Sequence, residues 1–211
     1  MIRIYFSSYK NQLHDLTFFK YLSLLPQDLK EKILCFKKWQ DRHASLYGKL
    51  LLKKALEDSG IESDLANLKY SEYGRPFLEN GVDFNISHSG YFVVCAVSFD
   101  GRIGIDMEEI KPISIKIFKN HFSVEEWQEI VESENIYFWF YYYWTAKEAA
   151  IKADGKGLSL PLENVRIKDN KTKLEETLWF ITSLIFDEDY ILQIACDKII
   201  QEKPEFREIS F

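Results

Sequence analysis

The run Tyr91-Phe92-Val93-Val94-Cys95-Ala96-Val97, a turn at Asp100-Gly101 and the run Ile103-Gly104-Ile105-Asp106-Met107-Glu108 follow one another near the middle of the chain. The first run is apolar and rich in β-branched and aromatic residues, which predicts a strand. Asp-Gly is a frequent pair in tight turns, and the second run predicts the next strand. The middle of the chain is therefore predicted to be a strand, a turn and a strand.

Helices and further strands are predicted on both sides of this centre. Apolar residues at helical spacing between 27 and 58 predict one or two helices that end at Gly60. A capping box at 123–126 begins a second helical region, and a helix through the aromatic block is predicted to reach about Ala153. Further strands are predicted at 1–6, 68–70, 82–86, 177–186 and 190–196.

The order of these elements predicts an α+β fold built from two similar halves. Strand, helices and strands occur once before residue 100 and once after it, although no residue-level repeat is visible. The predicted boundary separates an N-terminal half, 1–100, from a C-terminal half, 101–211. A cleft between such halves is a common place for a functional site.

Composition indicates a globular protein. Of 211 residues, 46% are hydrophobic and 28% charged. The net charge of -6 disfavours general nucleic-acid affinity, yet residues 30–54 contain eight basic residues and two acidic ones. This basic stretch is either a surface for a phosphorylated ligand or an ordinary solvated helix face.

The chain is predicted to be cytoplasmic. Its cysteines, Cys35, Cys95 and Cys196, are odd in number and lack metal-site spacing, so neither a disulfide framework nor a zinc site is indicated. The first residues lack the apolar stretch of a signal peptide. The aromatic run 136–144 is too short to span a bilayer.

Two acids in the central strand form a candidate metal site. Asp106 and Glu108 are two residues apart, so in an extended segment both side chains point to the same side. Two neighbouring carboxylates repel each other unless a cation lies between them, and such hard oxygen ligands suit Mg²⁺. The alternative is a solvated strand end.

Two further polar groups complete the candidate site. Glu148 and Lys152 are four residues apart and share a helix face, in an aromatic helix where a charged pair is costly without a role. The alternative is a surface ion pair. The polar block 85–90 is predicted to be a turn whose hydroxyls, His88 and backbone N–H groups contact phosphate, or else a structural turn. Together these groups fit a magnesium-bound diphosphate.

In this order and spacing the motifs resemble those of the surfactin-synthetase-type 4'-phosphopantetheinyl transferases. The resemblance covers roughly residues 30 to 160 and is carried by the combination of motifs rather than by any one. The matching stretches are Phe84-Asn85-Ile86-Ser87-His88-Ser89-Gly90, Ile103 to Glu108, Phe122 to Glu126, Trp144 to Lys152 and Gly155-Lys156-Gly157-Leu158, with weaker matches at 32–48 and Tyr73-Gly74-Arg75-Pro76.

The resemblance implies two pseudo-symmetric α+β halves with antiparallel sheets and packed helices. Because both halves lie in one chain, a monomer is sufficient, and the net charge and the short apolar run predict that it acts neither on nucleic acid nor at a membrane. The implied substrates are coenzyme A and an apo acyl or peptidyl carrier protein, and the implied cofactor is Mg²⁺. A serine of the carrier would attack the β-phosphate of coenzyme A, and 3',5'-ADP would leave.

The resemblance also implies roles for individual residues. Asp106, Glu108 and Glu148 would bind Mg²⁺, and either Glu148 or Glu126 would accept the serine proton. Lys152 would stabilise the leaving diphosphate.

Contacts to coenzyme A are implied for a second group of residues. His88 would contact its 3'-phosphate with Ser87 nearby, while Lys32 and Arg75 match basic positions of the family. The chain departs from the family in having Arg75 where Lys is frequent and Ala44 where Arg is frequent. Arg42 is a candidate to replace the missing contact. These departures concern coenzyme A affinity and carrier choice rather than the type of reaction.

Two other functions compete with the implied one. A magnesium-dependent nuclease or phosphohydrolase would use the same carboxylates and the basic stretch, but the acidic net charge argues against it. A non-catalytic carrier-binding module would not need the acids and Lys152 that this chain contains.

Overall fold

The computed structural model describes residues 1–62 and 64–211, and for Leu158, the last residue of a matching motif, it describes the backbone but not the side chain. The elements in chain order are β1 (Ile2–Ser8), α1 (Asp15–Leu22), α2 (Gln27–Leu34), α3 (Trp39–Glu57), β2 (Lys69–Tyr70), β3 (Pro76–Phe77), β4 (Asp83–Ser89), β5 (Phe92–Ser98), β6 (Ile103–Glu109), α4 (Val124–Glu132), α5 (Ile136–Asp154), β7 (Lys171–Leu174), β8 (Thr177–Leu184), β9 (Tyr190–Cys196) and β10 (Glu205–Glu208).

The strands form two four-stranded sheets and a short β2–β3 hairpin. The first sheet has the order β10-β1-β5-β4 and the second β6-β9-β8-β7. Neighbouring strands are antiparallel, except that β10 returns to the first sheet and pairs with β1 in parallel. This architecture is the predicted α+β fold of antiparallel sheets and packed helices. The boundary at residue 100 stays a prediction, and β10 is an element of the C-terminal half that joins the first sheet.

The two sheets pack face to face, and helices cover their outer faces. Alternation along β5 sends Val93, Cys95 and Val97 toward α3, while Val94 and Ala96 enter the core between the sheets. In β6 the residues Ile103, Ile105 and Met107 enter that same core. The residues between them, including Asp106, therefore face α5 on the opposite side of the second sheet.

The predicted helices agree with the structure, and the role of one predicted turn is corrected. α5 contains the aromatic block and ends at Gly155, whose φ of 86° is left-handed. Within the described residues, no helix combines the length and apolarity needed to cross a membrane. Residues 87–89 are not a turn but continue β4 beyond the predicted strand at 82–86, and the turn begins only at Gly90. These side chains are polar because they bind β6, as described below.

Gly104 sets the distance between β6 and α5. A Cβ atom at this position would stand 2.5 Å from the backbone nitrogen of Ala153 and still closer to the Ala149 carbonyl oxygen. Because both obstacles are backbone atoms, the helix would have to move to admit a side chain. The absence of a side chain at Gly104 thus lets α5 lie directly against the strand that carries Asp106.

We expect Gly104→Ala to lower the free energy of unfolding by about 1–3 kcal/mol, because α5 must shift away from β6. Urea denaturation measures this loss. Gly48→Ala is the matched control, since its nearest obstacle is a side-chain methyl group of Ile86 rather than backbone, and alanine favours its helix. An equal loss in both variants would contradict the account.

Candidate active site

Side chains of β4 hydrogen-bond to the backbone of β6 and join the edges of the two sheets. Alternate β4 residues accept alternate β6 N–H groups, always with an offset of twenty residues. The donor–acceptor distances are 2.7 Å for Ile103 N to Asp83 Oδ2, 2.9 Å for Ile105 N to Asn85 Oδ1, 3.3 Å for Met107 N to Ser87 Oγ and 3.0 Å for Glu109 N to Ser89 Oγ. We call this row the β4–β6 ladder.

The two serines of the ladder also contact the acids of β6. Ser87 Oγ donates to Asp106 Oδ1 at 2.9 Å, and Ser89 Oγ donates to Glu108 Oε2 at 2.8 Å. Asp106 and Glu108 lie in one strand with their side chains on the same side, as predicted. The polar block of β4 therefore holds the acid pair directly.

α5 contributes the other charged groups. Lys152 Nζ lies 2.6 Å from Asp106 Oδ1 and 3.0 Å from Ser87 Oγ. The ion pair of Lys152 is thus made with Asp106 of β6, not with Glu148 along the helix. Because Asp106 is almost fully buried, this pairing is better shielded from solvent than a surface ion pair.

These residues surround one open cavity of about 340 Å³. Its walls contain the predicted metal ligands, Lys152 and the two predicted phosphate contacts, together with an apolar and an aromatic side chain: Ile86, Ser87, His88, Asp106, Glu108, Trp144, Glu148 and Lys152. The structure thus brings together six of the sequence-predicted site residues.

Two glutamates in the cavity resist ionisation. Burial, followed by the charge of Asp106, raises the pKa of Glu108 to about 7. The same two causes raise the pKa of Glu148, while the charge of Lys152 opposes the shift in both. The cavity wall therefore has three carboxyl groups and only one ammonium group, that of Lys152, among its lining residues.

The donor set of the cavity fits a hard cation. Asp106 Oδ2 is buried and has no hydrogen-bond partner within the described residues. Residues 1–62 and 64–211 contain no preformed cluster of three or more His, Cys, Asp or Glu side chains that alone would hold a metal. Mg²⁺ usually takes one or two carboxylates plus phosphate oxygens and water, so the Asp106 and Glu108 pair is a sufficient protein contribution.

Glu126 lies elsewhere, in a buried ion pair. Its carboxylate lies 2.7 Å from Lys147 Nζ and accepts N–H groups of Ser123 and Ile167 at 2.8 Å each. Lys147 Nζ also donates to the His121 carbonyl oxygen. Glu126 is 3% exposed and does not line the cavity, and these contacts support a structural role over that of a base.

The remaining predicted coenzyme A contacts also lie outside the cavity walls. The Arg75 guanidinium makes a bidentate ion pair with Asp83 and donates to the backbone carbonyl oxygens of Lys152 and Ile103. These contacts fasten α5 to β6 and occupy the group, so a phosphate contact by Arg75 stays a prediction.

Two other basic residues lie on the N-terminal helices. Lys32 is exposed on α2, with its ammonium 4.0 Å from the centre of the Tyr70 ring. Arg42 donates to the carbonyl oxygen of Phe36 at 3.0 Å. Their contacts to coenzyme A also stay predictions.

Sequence reasoning missed two residues that support the site from outside and one that lines it. Asp83 and Asn85 begin the β4–β6 ladder, and Trp144 forms part of the cavity wall. The alternation of polar residues at 83, 85, 87 and 89 was a usable signal, because a strand inside a fold rarely presents polar groups without partners.

Comparison with known proteins identifies the family. Residues 102–195 match the model described as the 4'-phosphopantetheinyl transferase superfamily, and residues 12–100 match the one described as 4'-phosphopantetheinyl transferase, N-terminal. The chain belongs to the 4'-phosphopantetheinyl transferase superfamily, and it is a transferase.

Individual relatives cover most of the chain. The 4'-phosphopantetheinyl transferase Sfp of Bacillus subtilis (strain 168) is 36% identical over 71% of this chain and 68% of its own. The transferase ffp of Bacillus subtilis is 32% identical over 89% and 86%, and gsp of Aneurinibacillus migulanus is 36% identical over 82% and 74%. The predicted resemblance to Sfp-type transferases is confirmed.

The raised pKa of Glu108 predicts a pH-dependent effect of Glu108→Gln on stability. Between pH 4.5 and about 7 the folded protein keeps this proton while the unfolded chain loses it, so ionisable Glu108 makes the wild type less stable as pH rises. We expect the melting temperature of the variant, relative to wild type, to increase across this window and level off above it.

Thermal unfolding in a chelator, without coenzyme A, measures this difference. Glu188→Gln is the control, since Glu188 is exposed in the turn between β8 and β9. A difference between Glu108→Gln and wild type that does not vary with pH would refute the raised pKa.

Proposed function

We propose that this protein transfers the 4'-phosphopantetheine group of coenzyme A to a serine of an apo acyl or peptidyl carrier protein and releases 3',5'-ADP. Membership of the transferase superfamily supports the reaction. The observation that carries it in the structure is the cavity where the acid pair of β6 meets Glu148 and Lys152 of α5.

The reaction forms one phosphorus–oxygen bond and breaks another. The serine oxygen attacks the β-phosphorus, and the bond from that phosphorus to the oxygen bridging the two phosphates breaks. The serine proton goes to Glu148, a carboxylate that lines the cavity. Lys152 faces the cavity and neutralises charge that develops on the bridging oxygen as it leaves with 3',5'-ADP.

Asp106 and Glu108, with Glu148 as the third oxygen donor, are the residues that would hold Mg²⁺. When bound, the ion would supply positive charge to the diphosphate oxygens during phosphoryl transfer. The buried, unpartnered Asp106 Oδ2 supports this assignment.

Coenzyme A extends from this cavity past β4 toward the N-terminal helices. His88 lies exposed at the cavity edge beside Ser87, in a position to meet the 3'-phosphate. Farther along, burial and then the nearby charge of Lys32 lower the pKa of Lys49 on α3. Two neighbouring ammonium groups favour an anion, so we assign Lys32 and Lys49 to the nucleotide phosphate end.

One chain suffices for this site, because all of the cavity walls come from it. We therefore propose a monomer. All three cysteines are free thiols, and Cys95 and Cys196 are buried, which supports a reducing compartment and hence the cytoplasm.

The metal assignment predicts the effect of Asp106→Ala. We expect transfer to an apo carrier protein to fall by about 10²–10⁴-fold, because a metal contact is worth several kcal/mol of transition-state stabilisation. Mass spectrometry of the carrier after incubation with coenzyme A and Mg²⁺ measures the product, and circular dichroism checks the fold.

Glu188→Ala removes an exposed acid and serves as the control. Normal turnover by a folded Asp106→Ala protein would contradict the assignment of Asp106 as a metal ligand. A wild-type protein that modifies no carrier of any type would count against the proposed function itself.

The carrier protein docks on an apolar groove next to the cavity. A cavity of about 560 Å³ lies between residues 113–119 and the helices α4 and α5, and Lys116 and Lys119 line it together with Trp127. Trp144 of the active cavity contacts Phe118 of this segment, with 5.4 Å between the ring centres. Its apolar lining and two lysines suit a partner with apolar and acidic side chains.

We expect Ile117→Asp to raise the KM for the carrier about tenfold while the KM for coenzyme A is unchanged. Ile117 is 73% exposed in this segment, and an added negative charge would repel an acidic partner. Ile185→Asp, at an isoleucine that is 94% exposed in another segment, is the matched control. Equal carrier KM values in the two variants would place the docking surface elsewhere.

A further inference from the structure

We propose that Ser89 is a positioning residue that fixes the carboxylate of Glu108 for metal binding. This inference rests on the proposed function and concerns how the metal ligand is held. Ser89 is not itself a catalytic residue, because its hydroxyl contacts β6 and does not line the active cavity.

The hydrogen bonds of Ser89 have a defined direction when Glu108 is ionised, the form that binds a cation. The backbone N–H of Glu109 can only donate, so Ser89 Oγ is the acceptor in that 3.0 Å contact. A serine hydroxyl carries one proton, and at 2.8 Å from Glu108 Oε2 that proton is donated to the carboxylate. The ladder therefore holds the hydroxyl in place, and the hydroxyl in turn orients Glu108.

Glu108 depends on this contact more than Asp106 depends on Ser87. Asp106 Oδ1 accepts hydrogen bonds from both Ser87 and Lys152. Among the described residues, Ser89 is the one that donates a hydrogen bond to the Glu108 carboxylate. Without it, repulsion from Asp106 would turn the Glu108 side chain away from the site.

The other ladder residues provide a comparison. Asp83 and Asn85 accept β6 N–H groups with a carboxylate and an amide oxygen, and neither contacts a cavity acid. Loss of such a contact weakens the junction between the sheets but leaves Glu108 held by Ser89. The two halves of the ladder thus differ in function although their backbone contacts are alike.

Ser89→Ala is expected to weaken divalent-metal binding about 10–100-fold, as is typical when the partner of a metal ligand is removed. The probe is Mn²⁺ in the presence of saturating coenzyme A, with bound metal measured by electron paramagnetic resonance. Ser89→Thr retains the hydroxyl and is expected to bind Mn²⁺ within about threefold of wild type.

Asn85→Ala is the control for the junction alone. It is expected to lower the melting temperature at least as much as Ser89→Ala and to leave Mn²⁺ affinity unchanged, because no acid depends on Asn85. If Asn85→Ala does not fold, the difference between the Ala and Thr variants at position 89 decides the question.

Equal Mn²⁺ affinity in wild type and Ser89→Ala would overturn the inference and leave the proposed function standing. The same holds for a Ser89→Thr protein that binds as weakly as Ser89→Ala. A wild-type protein that binds coenzyme A but no Mn²⁺ would refute both the metal assignment and this inference.

Discussion

The hydrogen bonds from the β6 backbone to the side chains of β4 are the contacts on which the arrangement of the site depends. Backbone pairing would draw two strands together at the usual spacing, but here side chains bridge the strand edges. A row of buried N–H groups needs acceptors, so positions 83, 85, 87 and 89 must be polar. The same row brings two serine hydroxyls to Asp106 and Glu108, and one set of contacts thus joins the sheets and orients the acids.

A close backbone approach completes the site from the other side. Gly104 allows α5 to lie against β6, and this brings Lys152 into contact with Asp106. Arg75 strengthens the junction by linking Asp83 of the ladder to the backbone of α5. The cavity is therefore bounded by β4, β6 and α5, elements that are fixed to one another by buried polar contacts rather than by mobile loops.

Local sequence patterns predicted the helices, the strands and the acid pair, whereas contacts between residues distant in sequence could not be predicted. Helical spacing and the Gly155 end signal located α5, and a two-residue spacing placed Asp106 and Glu108 on one face. The partner of Lys152 was not predictable from the helix, because Asp106 is 46 residues away and competes with the nearby Glu148. Glu126 matched a catalytic position in sequence, but only the structure shows that its carboxylate forms a buried ion pair with Lys147.

The central claim is that Asp106, Glu108 and Glu148 together bind one cation, which also binds the diphosphate of coenzyme A. Anomalous diffraction from crystals grown with Mn²⁺ and coenzyme A tests it most directly. The account predicts a manganese peak inside the cavity, with oxygens of Asp106 and Glu108 among its ligands. A peak elsewhere, or ordered coenzyme A in this cavity with no metal beside these carboxylates, would contradict it.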